Sequence, residues 1–392
     1  MRIGFFADEY LPRIDGVITS MNNLAEGLRR RGHEVYFVVP EYPKTPKAKF
    51  ILRLPSTPVP LSDNVRAMLP SLTAMGSIKR LKLDIIHSHT PFVAAQLARR
   101  LAREQKLPHV TTFHTLLPVL LDYYPLRTRS YFPAIIATTA DILASADLGK
   151  YKLPADATAY GFKRQAWKWT GAFLDSVDFV ISPSEHFARR LNALGADTPI
   201  EVVPNSIKLD LFPPRSYRAH RPLRLVAVGR LSPEKRQYEL IEALSRLAPG
   251  RFELTLIGDG PDRKRLEALV SELDRSNVKL AGSLSPEKVR RRLYESDIGV
   301  LASAGFDNQP MTVLEYLAAG LPVFYCDPEL TEGLSPQNSR LSGASVDELA
   351  AGLDSLASKD LAVMSPAARV AAAKFDQAAM AERVERIYGQ LL

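Results

Sequence analysis

Residues 303–323 read Ser-Ala-Gly-Phe-Asp-Asn-Gln-Pro-Met-Thr-Val-Leu-Glu-Tyr-Leu-Ala-Ala-Gly-Leu-Pro-Val. The apolar run before them, residues 297–301, has the length of a buried strand. From Met311 onward the apolar residues recur at helical spacing, and Gly320 with Pro322 just beyond ends that pattern. The stretch therefore predicts a strand, a polar loop, a helix and a second strand. In an open parallel sheet, ligands bind where strands end and the following helices begin.

The loop and the helix start carry groups that suit a phosphorylated sugar. Carboxylates can accept hydrogen bonds from sugar hydroxyls, and the free amides at a helix start carry the partial positive charge that suits phosphate. From these residues alone, an ordinary strand–loop–helix with solvated acids is the alternative. The candidate sugar- and phosphate-binding residues of the stretch are Asp307, Asn308, Gln309, Met311, Thr312 and Glu315.

The N-terminal segment predicts a βαβ unit and hence a parallel sheet. Residues 1–7 and 34–40 have strand patterns, and a helix with Thr19 or Ser20 as its cap lies between them. Gly16 falls at the strand-to-helix turn, where a missing side chain lets a phosphate or sugar approach the backbone. A plain turn glycine is the alternative.

Three histidines lie in or just after the next two predicted strands, residues 83–88 and 110–113: His87 is in the first strand, and His89 and His114 follow the first and second strands. His114 lies at the carboxyl end of the second strand, where an α/β sheet exposes its site. His87 and His89 resemble a metal pair, but no nearby Asp, Glu or Cys completes a ligand set. A structural histidine is the alternative at each position.

Composition favours a two-domain globular protein. The chain has 392 residues, 46% hydrophobic and 24% charged, and its one cysteine, Cys326, fits a reducing cytoplasm. The N-terminus does not read as a secretory signal, and no run of about eighteen apolar residues predicts a transmembrane helix. Residues 1–215 hold 28 Lys and Arg against 19 Asp and Glu, so the net charge of +8 lies in this half. Such asymmetry predicts a polyanionic partner, either nucleic acid or an anionic membrane.

Two segments of this basic half are candidates for membrane contact. Residues 61–83 predict an amphipathic helix, interrupted at Pro70, which either lies in a membrane interface or packs on its own domain. Residues 116–173 mix aromatic and basic side chains, as a headgroup-level surface does. Nucleic-acid stacking needs the same residue types but no recognised module surrounds them, and a plain helix surface is the third possibility. The candidate acceptor and membrane residues are Tyr123, Tyr124, Arg127, Arg129, Lys163, Arg164, Trp167, Lys168 and Trp169.

Beyond a proline-rich segment the alternation of strands and helices begins again. We therefore predict domains at 1–213 and 223–370, a linker at 214–222 and a C-terminal helix within 371–392. Strand 223–228 leads into Gly229, Arg230 and Lys235, where an Arg fork and a Lys charge can meet a diphosphate. A solvated basic loop is the alternative. Asp259 and Leu284 follow the next two strands.

An acid followed after seven residues by Glu315, and then by an Ala-Gly helix end and Leu-Pro-Val, resembles the E-x7-E signature of retaining glycosyltransferases of family GT4. The pattern at 307–312 is most similar to that of bacterial diacylglycerol glucosyltransferases. Further similarities are Thr-Thr-Phe-His-Thr at 111–115, Gly-Arg-Leu-x-x-x-Lys at 229–235 and Ile-Gly-Asp-Gly-Pro at 257–261. The sequence departs from the family pattern at Asp307, where the family has Glu, and at Pro310, where it has Gly.

The resemblance implies an α/β GT-B fold, with two Rossmann-like doubly wound domains facing across a cleft and a final helix bracing the first domain. It implies that His114 contacts the transferred sugar, Asp307 its hydroxyls and Glu315 the ribose diol. Arg230 and Lys235 then disperse the charge of the leaving diphosphate. Asp-x-Asp is absent, so no obligatory metal or other cofactor is expected.

Three functions remain open after these observations. The first is transfer of glucose from UDP-glucose to a lipid hydroxyl such as that of diacylglycerol, at the inner face of the cell membrane. The second is a related transfer that uses GDP-mannose or a phosphoinositide, polyprenyl or saccharide acceptor. The third is binding of a nucleotide sugar without catalysis. The expected partners are a nucleotide-sugar donor, a lipid acceptor and an anionic membrane surface, without nucleic acid.

Overall fold

The structure, a computed structural model, describes most of the chain. The described residues are 1–13, 15–46, 48–58, 66–69, 71–123, 142, 146–155, 161–274, 276–356 and 358–392, without the side chains of 72, 162, 358 and 359. They form two compact units: the first is 1–205 with 377–392, and the second is 206–376.

Strands and helices alternate along both units. The strands are β1 (Arg2–Phe6), β2 (Glu34–Pro40), β3 (Ile51–Leu54), β4 (Ser56–Pro58), β5 (Arg66–Met68), β6 (Ile85–Ser88), β7 (His109–Thr112), β8 (Phe179–Ser182), β9 (Ile200–Val202), β10 (Leu223–Val228), β11 (Phe252–Ile257), β12 (Val278–Gly282), β13 (Ile298–Leu301), β14 (Val323–Tyr325) and β15 (Ser339–Leu341). The helices are α1 (Gly16–Arg30), α2 (Leu72–Lys79), α3 (Val93–Gln105), α4 (Leu117–Tyr123), α5 (Gly161–Leu174), α6 (Glu185–Asn192), α7 (Gln237–Ser245), α8 (Arg263–Glu272), α9 (Pro286–Tyr294), α10 (Met311–Ala318), α11 (Val346–Asp354), α12 (Ser358–Ala372) and α13 (Gln377–Leu391).

Each unit is built on one parallel sheet. Among the described residues, the first sheet has seven strands in the order β3-β2-β1-β6-β7-β8-β9, and the second has six in the order β12-β11-β10-β13-β14-β15. In both sheets the first strand of the unit lies inside, with later strands added on either side. Such a doubly wound sheet has a switch point, between β1 and β6 in the first unit and between β10 and β13 in the second.

The sheets are buried on both faces, as parallel sheets covered by helices are. The four residues of β6, β7, β8 and β13 are all buried. In the first unit, helices α1 and α13 pack together against one face of the sheet. Their approach is close because Gly27 has no side chain: a Cβ there would lie 2.8 Å from the Cβ of Ala381.

Two local predictions differ from the structure. The cap of α1 is Asp15, not Thr19 or Ser20, because its carboxylate accepts a hydrogen bond from the amide of Ile18 at 2.9 Å. The prediction of helix across 61–83 is wrong for 66–68, which form β5 and pair antiparallel with β4. Only Leu72–Lys79 is helical there, and 59–65 lie outside the described residues.

The division between units falls at residue 205, earlier than the predicted linker at 214–222. The proline-rich segment packs on the second unit instead, because its polar side chains find partners there. The Arg215 guanidinium donates to the carbonyls of Leu293 and Ser296, and the His220 ring lies 3.0 Å from a carboxylate oxygen of Asp297. Residues 377–392 belong to the first unit.

Candidate functional site

The candidate donor residues of the second unit lie at the carboxyl ends of its strands. Gly229, Arg230 and Lys235 follow β10, and Asp307 follows β13, so these two groups flank the switch point of the sheet. Loops after strands on either side of a switch point diverge and leave a crevice for a ligand. The topology therefore brings the two motifs singled out in the sequence to one place.

An ion pair joins the two motifs. The Lys235 ammonium lies 2.6 Å from Oδ1 of Asp307, and the hydroxyl of Ser303 donates to Oδ2 of the same carboxylate. The ring of Phe306 has its centroid 5.3 Å from the same ammonium. The Lys235 and Asp307 side chains are 20% and 10% exposed, so the pair is largely shielded yet reachable from solvent. Asp307, although shorter than glutamate, thus has a fixed position beside a cation.

Arg230 is exposed and extends from a loop with a tightly constrained backbone. The amide of Leu231 donates to the Asp259 carbonyl at 3.1 Å, which joins the loops after β10 and β11. A Cβ at Gly258, whose φ is +142°, would lie 1.9 Å from the Gly229 carbonyl oxygen, and a Cβ at Gly260 would lie 2.3 Å from that of Leu231. Only glycine at these two positions lets the loops touch backbone to backbone.

The loop after β13 is held by an acidic residue that follows the next strand, β14. The amide of Gly305, which has a φ of +69°, donates to the buried carboxylate of Asp327 at 2.7 Å. Asn308 and Gln309 are buried in the same loop. The loop that carries Asp307 is therefore anchored at its beginning and packed at its end.

Helix α10 begins directly after this loop. Pro310 is its N-cap and supplies no side-chain hydrogen bond to the first turn, which begins with buried Met311 and partly buried Thr312. Proline has no N–H and is well tolerated at a helix start, so the departure from the family glycine leaves the helix intact.

Glu315 lies one turn into α10 and is partly buried. Burial raises the pKa of its carboxyl to about 7, and the positive charge of Arg290 opposes the rise. The neighbouring Tyr316 ring packs over Gly299 of β13, where a Cβ would lie 2.3 Å from the ring, and its hydroxyl accepts from the amide of Val228 at 2.8 Å. Tyr316 thus fixes α10 against the end of β10.

The two remaining donor candidates lie at the same edge. Asp259 is exposed after β11, with a carboxylate oxygen 3.8 Å from the Arg263 guanidinium. Leu284 follows β12 and packs against the apolar core beneath α10.

In the first unit, acidic residues follow β1 at the switch point. The Asp8 carboxylate accepts from the Ala94 amide at 2.9 Å and from the Thr90 hydroxyl at 2.5 Å, so it closes the start of α3. Burial raises the pKa of Asp8 to about 6. Gly16, the candidate sugar- or phosphate-approach residue, is the first residue of α1.

A second carboxyl group near Gly16 is also desolvated. The Arg13 guanidinium lies 3.1 Å from Glu9 and 3.2 Å from Asp15. Burial, together with the negative charge of Asp15, raises the pKa of Glu9. The loop before α1 therefore contains two carboxyl groups, those of Asp8 and Glu9, that burial biases toward the neutral form.

Three histidine rings form a stack beside this loop, which we call the histidine stack: His87, His89 and His114. The rings of His87 and His89 have centroids 4.2 Å apart, and those of His89 and His114 are 5.6 Å apart. Burial lowers the pKa of all three, to about 3 for His114. The stack is therefore neutral at physiological pH, and His114 is its partly buried outer member.

The predicted membrane residues divide into those outside the described residues, those on or near the surface, and the two buried tryptophans. Tyr124, Arg127 and Arg129 lie outside the described residues. Tyr123 is partly buried at the end of α4, Arg164 is exposed and Lys168 is partly exposed on α5, and the Lys163 ammonium lies 2.7 Å from Asp122.

The placement of the two tryptophans at a membrane surface is wrong. Trp167 and Trp169 are 3% and 1% exposed and belong to a core cluster with Phe113 and Phe173. The Trp169 ring stacks on Phe173 with centroids 5.6 Å apart. Both indoles therefore stabilise the fold of the first unit and cannot reach lipid headgroups from these positions.

Several residues that shape the two sites are not among the predicted site residues. Asp8 could have been found, since it comes at the carboxyl end of a strand flanking a switch point, and His89, which the sequence offered only as part of a metal pair, follows the neighbouring strand in the same way. Asp327 follows β14 in the same way. Tyr388 on α13, whose hydroxyl lies 2.6 Å from Nδ1 of His87, has no signal in the sequence because the two are 301 residues apart.

Two absences apply to the described part of the chain. No group of three or more His, Cys, Asp or Glu side chains there is arranged to hold a metal ion. No helix there has the length and apolar character needed to cross a bilayer.

Comparison with family models gives matches in both units. The model for Glycosyltransferase Family 4 matches residues 14–211, and the model for Glycosyl transferases group 1 matches residues 222–359. The alpha-monoglucosyldiacylglycerol synthase of Acholeplasma laidlawii is 27% identical, covering 82% of this chain and 79% of that protein. A GDP-mannose-dependent alpha-mannosyltransferase of Mycolicibacterium smegmatis is 24% identical, covering 83% and 80%.

Solved structures share the fold over the whole chain. Sucrose-phosphate synthase from Thermosynechococcus elongatus superposes with a TM-score of 0.73 at 18% identity, covering 100% of this chain and 98% of that one. Anabaena HepE, solved with UDP and glucose, gives 0.70 at 15% identity and covers 100% of both chains. The predicted α/β GT-B fold is thereby confirmed.

Proposed function

The chain belongs to Glycosyltransferase Family 4, and on that premise we propose that it transfers glucose from UDP-glucose to diacylglycerol with retention of anomeric configuration. UDP-glucose is proposed as the donor because two relatives of this protein are alpha-monoglucosyldiacylglycerol synthases. The reaction is proposed to take place at the inner face of the cell membrane and to require no bound metal.

The observation that carries the proposal is the ion pair of Lys235 and Asp307 at the switch point of the second unit, 2.6 Å between Nζ and Oδ1. Each member meets one part of a sugar diphosphate. The ammonium complements a phosphate oxygen, and the carboxylate accepts hydrogen bonds from sugar hydroxyls. Because the pair is formed before donor binds, both groups are oriented in advance, which lowers the entropic cost of binding.

The difficult step is departure of the diphosphate from the sugar. As the bond from C1 to the diphosphate oxygen breaks, C1 gains oxocarbenium character and negative charge collects on the leaving group. Lys235, exposed Arg230 and the first amides of α10 stabilise that charge. The acceptor oxygen bonds to C1 on the same face, and its proton passes to the leaving diphosphate.

His114 is proposed to contact the reacting sugar from the first unit. Its pKa of about 3 keeps the ring neutral. A neutral imidazole can hydrogen-bond to a hydroxyl without placing a positive charge beside a carbon that is itself becoming cationic. In the second unit, Glu315 is proposed to bind the ribose diol.

The acceptor is proposed to reach the first unit from an anionic membrane. The support is the charge balance of +9 over residues 1–215 and the exposed cations Arg164 and Lys168 on α5. Each such cation near an anionic surface contributes roughly 1 kcal/mol, and the attraction weakens with salt. The tryptophans take no part in this docking.

A second candidate is transfer of mannose from GDP-mannose to a lipid. It is favoured by the GDP-mannose-dependent relatives and by Asp307, whose shorter side chain changes the reach toward the sugar hydroxyls. Glucose and mannose differ only in the orientation of the 2-hydroxyl, so a displacement of one carboxylate can alter the preference.

The test is a matrix of donors and vesicles. The protein is incubated with labelled UDP-glucose or GDP-mannose, with EDTA or Mg²⁺, and with vesicles containing diacylglycerol in either zwitterionic or anionic lipid. We expect labelled glycolipid from UDP-glucose, more of it on anionic vesicles and an undiminished yield with EDTA.

Each other outcome has a definite meaning for the proposal. Mannolipid from GDP-mannose alone supports the second candidate, and donor binding without any product supports a binding protein. Lys235→Met should lower the initial rate about 100-fold in each productive arm. The matched control is Lys264→Met, which removes an exposed lysine on α8.

A further inference from the structure

We propose that Tyr388, His87 and His89 are positioning residues, which together fix the orientation and the proton of His114 through a buried chain of contacts. The inference rests on the proposed function only for the role of His114 at the sugar. It deepens that function because it extends the machinery of transfer to the last helix of the chain.

The series of contacts begins at Tyr388 on α13. The hydroxyl of Tyr388 lies 2.6 Å from Nδ1 of His87, and Nε2 of His87 lies 2.7 Å from the hydroxyl of Thr112. Tyr388 and His87 are both 0% exposed, so neither contact is exchanged with water. With both ring nitrogens engaged, His87 can neither flip nor rotate without losing hydrogen bonds in a dry interior.

His87 then orients His89 through ring packing. Their rings stack with centroids 4.2 Å apart and planes 25° apart, and the edge of Phe5 closes against both. The His89 amide donates to the Phe6 carbonyl at 2.9 Å, which ties the backbone of the stack to β1. The His89 ring therefore has one accessible orientation.

The last contact joins His89 to His114. Nδ1 of His89 lies 3.3 Å from Nε2 of His114, and the planes of these two rings are 24° apart. One of these nitrogens must carry the hydrogen, and the other must accept it, because both rings are neutral. The direction of this hydrogen bond decides which nitrogen of His114 is protonated.

The other nitrogen of His89 settles that direction. Nε2 of His89 is buried and has no hydrogen-bond partner among the described residues. A buried N–H without an acceptor is rarer and more costly than a bare acceptor nitrogen. His89 therefore carries its hydrogen on Nδ1 and donates it to His114, so that His114 holds its own proton on Nδ1.

A purely structural stack would have a different signature. Packing alone requires rings of the right size, and any change that preserves volume should preserve activity in proportion to stability. Positioning requires the donor atom at Nδ1 of His89 and the hydroxyl of Tyr388. These two requirements can be separated by substitution, since asparagine places its side-chain amide nitrogen where histidine has Nδ1.

The first experiment compares His89→Asn with His89→Leu and Tyr388→Phe with Tyr36→Phe. Tyr36 is the matched control, because its hydroxyl also makes hydrogen bonds, to Arg2 and Glu34. These bonds lie at the amino ends of β1 and β2, away from the histidine stack. We expect kcat to fall about 100-fold in His89→Leu and about tenfold in Tyr388→Phe, with donor KM unchanged. His89→Asn and Tyr36→Phe should keep kcat within about threefold of wild type.

Equal losses in His89→Asn and His89→Leu, or equal activities of the two tyrosine variants, would overturn the positioning role. So would a loss that appears in KM instead of kcat. Thermal unfolding of each variant shows which proteins are folded, and only those are compared.

The second experiment needs no substrate. In the wild-type protein labelled with 15N-histidine, long-range correlations between ring nitrogens and ring hydrogens distinguish the Nδ1–H from the Nε2–H tautomer. The protein has seven histidines, so the His114 signals can be assigned by their disappearance in His114→Gln. We expect Nδ1–H for His114 in the wild type and a mixture of tautomers in Tyr388→Phe.

An Nε2–H tautomer of His114 in the wild type would disprove the chain of contacts whatever the enzyme transfers. Conversely, absence of glycolipid in every donor arm would disprove the proposed function and leave the tautomer result standing. The two failures are thus distinguishable.

Discussion

The carboxyl ends of the two sheets carry opposite kinds of electrostatics on the same topology. At the switch point of the first unit, burial keeps the histidine stack neutral and raises the pKa of Asp8. At the switch point of the second unit, Lys235 and Asp307 form an ion pair with partial access to solvent, and Arg230 is exposed. Strand order places both sites, but the degree of burial decides what each can do.

The difference fits the two chemical tasks proposed for these sites. A dry site with neutral hydrogen-bonding groups suits hydroxyls and a carbon that becomes cationic, because it adds no competing charge. A partly solvated ion pair suits a diphosphate that arrives and leaves charged, since full burial would make each arrival costly in desolvation. Substitutions that alter the charge or the packing at either site therefore test the comparison.

The largest expected effect comes from removing the cation of the second unit. Lys235→Met keeps much of the side-chain length but loses the charge beside Asp307, and a hydrogen bond between charged groups contributes about 1.5–3 kcal/mol. We expect kcat/KM for the donor to fall about 100-fold in initial-rate assays. Lys264→Met should leave it unchanged, and a similar loss there would show that overall charge matters more than the ion pair.

The next effect separates charge from geometry at Arg230. Arg230→Lys retains a positive charge but loses the planar fork that binds two phosphate oxygens. We expect the affinity for UDP-glucose, measured by calorimetry, to fall about 30-fold. Arg291→Lys on α9, also exposed and basic, is the control. An unchanged affinity in Arg230→Lys would assign the exposed arginine a role other than phosphate binding.

A third test concerns Glu315 in the second unit. Burial raises the pKa of its carboxyl group, as it does for Asp8 in the first unit. The Glu315 pKa of about 7 means that the carboxyl is protonated below that pH and ionised above it. Since only the ionised form accepts hydrogen bonds from both ribose hydroxyls, donor affinity should rise with pH. A one-unit fall of this pKa on binding corresponds to roughly a fivefold rise in affinity between about pH 6 and about pH 8.

This pH dependence is best measured with the intact nucleotide sugar, whose two phosphates are esterified and do not titrate in the range. Glu315→Gln should bind the donor more weakly and equally at each pH. If the pH dependence persists in Glu315→Gln, it belongs to another group.

The smallest effect concerns the scaffold of the first site. Gly27→Ala would press a methyl group against Ala381 at the contact of α1 with α13, the helix that carries Tyr388. Overpacking costs about 1–3 kcal/mol and a helical alanine contributes about 1 kcal/mol of stability, which leaves a net loss of roughly 0–2 kcal/mol in the free energy of unfolding.

The matched control is Gly389→Ala on α13, where a Cβ meets nothing within 4 Å, so the same substitution should stabilise. Both tryptophans of the protein lie in the first unit, and their fluorescence during denaturation therefore reports its unfolding. A stabilised Gly27→Ala protein would show that the two helices are less closely packed.

Local patterns sufficed where an element is determined by its own residues. The strand predicted at 34–40 is β2 to the residue, and the helix predicted from Met311 is α10. The family and the GT-B fold are confirmed. Lys235 and Asp307 were both predicted at the donor site, although nothing in their sequence spacing indicates that they touch.

Predictions failed where burial comes from distant parts of the chain. Trp167 and Trp169 are two residues apart on α5 and so point about 200° apart, and their burial together requires neighbours on most sides of the helix. The apolar spacing before Pro70 fits either a helix or a hairpin. Residues 66–68 form strand β5 because they pair with β4. The roles assigned to the site residues stay predictions.

The close contact of the loops after β10 and β11 has a consequence for how this protein can change. Any side chain at Gly258 or Gly260 would collide with a carbonyl oxygen and not with a movable side chain, so the segment that carries Arg230 would be displaced as a whole. In a saturation library selected for activity, these two positions should accept almost no replacement, while position 307, proposed to lie next to the sugar, should accept more than one acid. Variation in donor preference is therefore expected to arise around a loop that is proposed to bind the diphosphate and that itself tolerates almost no variation.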